Sequence, residues 1–226
     1  MSVAVDLVVL DVNESLSDLE PLRARFTDSG APGHLLETWF ASTLRDGFAL
    51  AAAQQFRPFP DVGAAVLRGL LSGLQLTRPV EEAVSHVLEG FPLLDVHPDV
   101  PVGLRALSAR GLRVVTLTNG SLSQSQALLE RAGVADLVEQ RLSVDDAGRW
   151  KPHPDAYVYA ARTAGVPLER CAMVAVHPWD LMGAASVGMT TAWVDRRGTP
   201  WPAALPTPDV TGPDLPSVAE QLVVAS

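Results

Sequence analysis

Short, almost wholly apolar runs rich in β-branched residues alternate along this chain with longer stretches of helical periodicity. Nothing else in the sequence constrains the fold as tightly. The runs lie at 3–10 (VAVDLVVL), 112–117 (LRVVTL), 171–176 (CAMVAV) and 191–194 (TAWV), with a weaker one near 141–144. Strands that carry no alternating polar face are buried on both sides, which predicts an α/β fold: a mainly parallel sheet flanked by helices. Helices are expected at 122–132, 154–164 and 180–187, stopped by Gly133, Gly165 and Gly188. Glycine ends helices because it enters the left-handed conformation without a Cβ clash.

The alternation breaks once. About 100 residues separate the first two runs, where a βα connection needs only a short crossover. The interval has helical character. Ser17 and Glu20 have the spacing of a capping box for a helix over 18–28, and further helices are expected at 34–53, 60–72 and 79–90. The expected organisation is a core of residues 1–15 and 96–226 with an inserted α-helical cap, 16–95, over the active edge of the sheet. The proline-rich tail TPWPAALPTPDVTGPDLP, beginning at Thr199, is expected to wrap the surface before a last short helix at 216–224.

At 226 residues the chain is long enough to bury a full core. No apolar run reaches the roughly 18 residues a membrane helix needs. The N-terminus has no basic start and carries Asp6 inside its apolar stretch, so a signal peptide is not expected and the reading is cytoplasmic. A net charge of −9 argues against nucleic acid or an anionic membrane as partner. The single cysteine, Cys171, falls inside a strand run and is read as a buried core residue.

Functional groups of an open parallel sheet collect beyond the carboxyl ends of its strands. There this chain places Asp11-Val12-Asn13-Glu14-Ser15 after the first strand, Thr118-Asn119-Gly120-Ser121 after the second, and His177-Pro178-Trp179-Asp180 after the run at 171–176. Lys151 lies between the last two, in RWKPHPDAYVYAA. Each item alone has a plain structural reading: Asp11 or Asp180 as a helix cap, Thr118 to Ser121 as a turn, Lys151 as an exposed lysine, His177 as a loop histidine. Their joint order is what those readings explain poorly.

That order resembles the haloacid dehalogenase superfamily, and within it the type II 2-haloacid dehalogenases. VVLDVNESL around Asp11, LTNGS around Thr118, WKPHPDAYVYA around Lys151 and VAVHPWDLMGA ending in Asp180 carry the likeness, which runs over nearly the whole chain. The resemblance implies a Rossmann-like core with a helical cap, no organic cofactor and no metal. It also implies a catalytic group of Asp11, Lys151 and Asp180, with Asp11 the nucleophile. Lys151 would keep Asp11 ionised and pair with a substrate carboxylate. Ser15, Thr118, Asn119 and Tyr157 match site positions of the family; Phe59 and Trp179 match positions lining an apolar pocket. The partner implied is a small 2-haloacid. Family members often dimerise, and a homodimer through Trp39 and Phe40 is one arrangement, although Phe40 is equally a pocket candidate.

Most of the superfamily are phosphatases, which use a second aspartate two residues after the nucleophile to protonate the leaving alkoxide. Here that residue is Asn13, which has no proton of that kind to give. The final motif holds one carboxylate, Asp180, a poor set for a magnesium ion. Both features fit release of halide, which leaves without a proton, better than phosphoryl transfer. An atypical phosphatase and a catalytically idle carboxylate binder are the alternatives. Four departures from the type II pattern stand out. Phe40 replaces an arginine thought to grip an anion, and Arg45 lies about 140° away around an ideal helix. His177 replaces an asparagine, and Ala175 a serine. His177 is read as sharing activation of the hydrolytic water with Asp180. Asn13, where the type II pattern has tyrosine, is expected to enlarge and polarise the pocket wall.

Overall fold

The computed structural model describes residues 4–224, so residue 3 of the first expected strand and the outermost ends of the 1–15 and 96–226 segments lie outside the described residues. Six strands, β1 (Leu7–Leu10), β2 (Arg113–Thr118), β3 (Gln140–Ser143), β4 (Cys171–Ala175), β5 (Thr190–Val194) and β6 (Val210–Gly212), form one parallel sheet in the order β3-β2-β1-β4-β5-β6. Alternate residues of β1 serve two separate cores. Leu7 and Val9 pack with Val115, Leu117, Met173 and Ala175 on one face; Val8 and Leu10 pack with Val114, Ala172, Val174 and Val194 on the other. Both faces being dry, the strands have no polar register, and this is why they read as continuous apolar runs. Asp11 is the first residue past β1 and follows the parity of Leu7 and Val9.

Between β1 and β2 the chain forms α1 (Leu22–Asp28), α2 (Leu35–Ala52), α3 (Phe59–Leu71), α4 (Val80–Leu88) and α5 (Val100–Ala109). The first four share the core of the Leu7 face. After β2 come α6 (Leu122–Arg131), α7 (Val144–Ala147), α8 (Pro154–Ala164), α9 (Pro178–Ser186) and α10 (Leu215–Gln221). Gly165 caps α8 in the left-handed conformation, φ 69°.

Three expectations need correction. No capping box forms at Ser17: α1 starts five residues later, behind Pro21. Ser17 is buried where the outgoing and returning chains pair, its backbone bridging Val96 while Asp18 N donates to Asp95 O and His97 N to Leu16 O. The Glu20 carboxylate goes to Arg23 instead. Second, the sequence reading has no helix at 100–109, where the structure has α5 with Pro101 in its first turn and Gly103 inside it. Proline is at home in a helix's first turn, and Gly103 lets α10 close on α5, since a Cβ there would collide with the Leu215 side chain. Third, the proline-rich tail does more than wrap the surface. Asp209 accepts from the backbone N and the hydroxyl of Thr191 at 2.8 and 2.9 Å, which pins β6 onto β5 as a sixth strand.

Candidate active site

The strand order reverses at β1, so the loops after β1 and β4 diverge and leave a crevice at their carboxyl ends. Asp11 enters it from β1 and Asp180 from the first turn of α9. Lys151 arrives on the segment before α8 and lies between them, its Nζ 2.8 Å from Asp11 Oδ1 and 2.7 Å from Asp180 Oδ2. The side chains of Lys151 and Asp180 are 0% exposed and that of Asp11 is 5% exposed. A group this dry cannot carry unmatched charge, and one ammonium serves two carboxylates. Neither aspartate caps a helix, and Lys151 is not on the surface. Lys151 is also the only lysine in the sequence.

The remaining oxygens are held from outside the triad. Ser15 Oγ donates to Asp11 Oδ2 at 2.5 Å and accepts from Val176 N at 3.1 Å, tying the loop after β1 to that after β4. Tyr157 OH, on α8, donates to Asp180 Oδ1 at 2.6 Å. Gly183 admits that phenol: a Cβ there would come within 2.5 Å of its oxygen. Asn119 clamps the Lys151 backbone, accepting from its N at 2.9 Å and donating to its O at 3.3 Å. Thr118 Oγ1 accepts from Gly120 N at 2.9 Å and shapes the turn at the end of β2.

Burial works to raise the Asp11 carboxyl, but the charges of Lys151 and His177 and the hydrogen bonds from Lys151 and Ser15 outweigh it and hold the group below the usual carboxylate range. Burial pushes Asp180 up; the Lys151 charge opposes this, the Asp11 charge adds to it, and the group stays above the usual range. Burial lowers Lys151, and the two carboxylates more than restore it. Burial, then the charge of Asp180, lifts the Tyr157 phenol well above its ordinary value. The pair is therefore split: Asp11 is the readily ionised carboxylate, and Asp180 the one that takes a proton more easily.

His177 stands on the other side of Asp11. Its Nε2 is 3.8 Å from Asp11 Oδ2, 3.5 Å from Glu14 Oε2 and 3.2 Å from the backbone O of Asn13. A carbonyl oxygen only accepts, so Nε2 carries the hydrogen and donates. That contact turns the Nε2–H toward the loop after β1. The Asp180 oxygens are engaged by Lys151 and Tyr157. The His177 ring is held by stacking, with Trp179 at 5.0 Å and Phe40 at 6.1 Å between centroids.

Phe40 and His177 line a cleft of about 500 Å³ between α1, α2, the loop after β1 and the segment after β5. Phe59 is packed among Trp39, Phe40, Phe91 and Trp150. Arg45 is mostly exposed and pairs with its neighbour Asp46. Trp39 is wholly buried, its Nε1 donating to Gly63 O at 2.9 Å, and Phe40 is 5% exposed. Both are consumed inside the chain, which removes them as a dimer contact. Three neighbours escaped the sequence reading. Phe48 packs on Trp179 at 4.9 Å, and Trp150 stacks on Phe59 at 5.7 Å and fits α2 only because Gly47 has no Cβ. Glu14, a non-glycine residue at φ 62°, is the third.

Residues 6–188 match the family of haloacid dehalogenase-like hydrolases. The chain belongs to this family. It is 33% identical over 144 residues to haloacetate dehalogenase H-2 of Moraxella sp. (strain B), covering 64% of each chain. It is 33% identical over 142 residues to the (S)-2-haloacid dehalogenase of Pseudomonas sp. (strain YL), covering 63% of this chain and 61% of that one. It therefore spans a little under two thirds of the length of these relatives. A solved L-2-haloacid dehalogenase, RSc1362, superposes with a TM-score of 0.88 at 28% identity, over 97% of this chain and 99% of that one. This haloacid dehalogenase-like chain thus has the parallel-sheet core of the family, with its inserted helices in the same overall arrangement.

Proposed function

We propose that the protein hydrolyses the carbon–halogen bond of short 2-haloalkanoic acids, haloacetates being the simplest. The observation that carries this reading is the Lys151 ammonium bridging Asp11 and Asp180. It leaves both Asp180 oxygens engaged, by Lys151 and Tyr157, so the one carboxylate of that motif offers little to a metal ion. The likeness to the haloacetate and 2-haloacid dehalogenases supports the same substrate class.

In the proposed reaction an Asp11 oxygen attacks C2 of the substrate. The carbon–halogen bond breaks, halide leaves with the bonding pair, and an aspartyl ester forms. Lys151 and Ser15 keep the carboxylate ionised and oriented for that displacement. Water then attacks the ester carbonyl and gives one proton to Asp180. The tetrahedral intermediate collapses; the alkoxide leaves with the oxygen that came from Asp11 and takes the proton back from Asp180 to become the 2-hydroxy acid. Asp11 sheds its own proton to return as carboxylate. Asn119 and Thr118 hold the β2 loop and the Lys151 backbone in place. Phe40 and Trp179 supply apolar surface near the reacting carbon. Residues 16–95 act as the cap that closes this site from water.

Incubation with chloroacetate should release chloride and glycolate in equal amounts, undiminished by a chelator. Release of phosphate from an aryl phosphate, abolished by a chelator and without chloride release, would refute the assignment.

A further inference from the structure

An anionic substrate must approach a carboxylate nucleophile, so the cations around the cleft decide how well it binds. Most of them are already committed. Arg23 is shared by Glu20 and Glu37, and Arg196 is held by Asp99 through two hydrogen bonds of 3.1 and 2.9 Å. Lys151 is divided between Asp11 and Asp180. Arg197, 80% exposed, and the His177 ring N–H remain, and both face one side chain, Glu14: its carboxylate lies 3.5 Å from His177 Nε2 and 4.0 Å from Arg197 Nη2.

Glu14 is held there at a cost. Its backbone is left-handed, φ 62°, a region where a side chain with a Cβ is strained, and strain of this kind collects at functional sites. His97 Nε2, 3.0 Å from the Glu14 carbonyl oxygen, secures the turn. The charged groups facing the carboxyl are His177 from the start of α9, Arg197 from the segment after β5, Asp11 from the same loop and Glu37 from α2. Burial raises this carboxyl; His177 and Arg197 oppose the rise, Asp11 and Glu37 add to it, and the group stays above its ordinary range.

We propose that Glu14 is a specificity-determining residue: its carboxylate faces His177 and Arg197 as an internal anion, which a substrate carboxylate must displace on its way to Asp11. The inference rests on the haloacid reading for its ligand class, and makes Glu14 a brake on small carboxylates.

The test compares Glu14→Gln, which removes the charge and keeps the size, with Glu14→Gly, which also relieves the left-handed backbone and so folds without strain. Acetate binding, which needs no turnover, is measured by calorimetry on both variants, and KM for chloroacetate alongside it. Displacement of an internal anion predicts that both variants bind acetate about tenfold more tightly than the parent chain, with Glu14→Asp in between. KM should fall in parallel. Acetate binding unchanged or weakened in Glu14→Gln overturns the proposal. So does tightening in Glu14→Gly alone, which would put the effect in the backbone. Slower ester decay with unchanged acetate binding also overturns it, by making Glu14 a helper of hydrolysis. Should acetate bind as predicted while chloroacetate yields no chloride, the dehalogenase reading fails and the anion site stands.

Discussion

Lys151→Met is the sharpest perturbation the site offers. It removes the one cation between two carboxylates that are both within 2.8 Å of it and almost fully buried. Stranding one charge of a buried pair costs about 3–5 kcal/mol. Here two are stranded, so the upper end, about 5 kcal/mol at pH 7, is expected, comparable with the roughly 5–15 kcal/mol total stability of a domain. The sign with pH follows from linkage. In the parent chain the Asp11 carboxyl is held below its unfolded value, so the stability it contributes is present above the unfolded pKa and is lost as pH falls through the folded one. Without Lys151, burial lifts both carboxyls above their unfolded values. They then bind protons more readily folded than unfolded, and stability is regained as pH falls. Urea unfolding at pH 7 and pH 5 reads this directly. The deficit should be largest at pH 7, shrink at pH 5, and be partly recovered by adding Asp180→Asn. A loss under about 1 kcal/mol, or one equal at both pH values, would refute the reasoning about a dry, shared ammonium.

Other outcomes follow from the same geometry. Asp180→Asn should leave the displacement step and stall hydrolysis, giving a burst of about one chloride per active site and a steady rate lower by about 10²–10⁴, measured by rapid-quench chloride release. His177→Asn should raise KM for chloroacetate and leave single-turnover ester decay unchanged, because the nitrogen facing Asp11 donates; slower decay would give His177 the role of base. Gly47→Ala sets a Cβ against the Trp150 ring and should destabilise by about 1–3 kcal/mol in thermal or urea unfolding, with loss of the tight contact between α2 and the Lys151 segment.

The strands of the sheet were legible because both faces are dry, and α8 was legible to the residue because His153-Pro154 starts it and Gly165 stops it. Asp11, Lys151 and Asp180 could be named from motif order, but their shared burial could not, since nothing local in RWKPH distinguishes a surface lysine from a buried one. That Lys151 is the only lysine in the sequence is a signal that was there to be used. Ser17 misled because hydroxyl-x-x-Glu spacing is equally compatible with a chain crossing, and tertiary pairing with Val96 won over the local cap. α5 and β6 hid behind prolines whose positions, a first helical turn and the approach to an edge strand, leave the hydrogen-bond ladders intact. The direction of His177 depended on the Asn13 carbonyl, a backbone atom with no trace in the side-chain pattern.

The central claim is that Asp11 becomes covalently bonded to the substrate carbon. A single turnover with chloroacetate in ¹⁸O-water, enzyme in excess, followed by mass analysis of the Asp11 peptide and of glycolate, tests it most directly. The account predicts one ¹⁸O in Asp11 and unlabelled glycolate, because water attacks the ester carbonyl and the product leaves with the original aspartate oxygen. Labelled glycolate with an unlabelled Asp11 would mean that water attacks the substrate itself, and would contradict it.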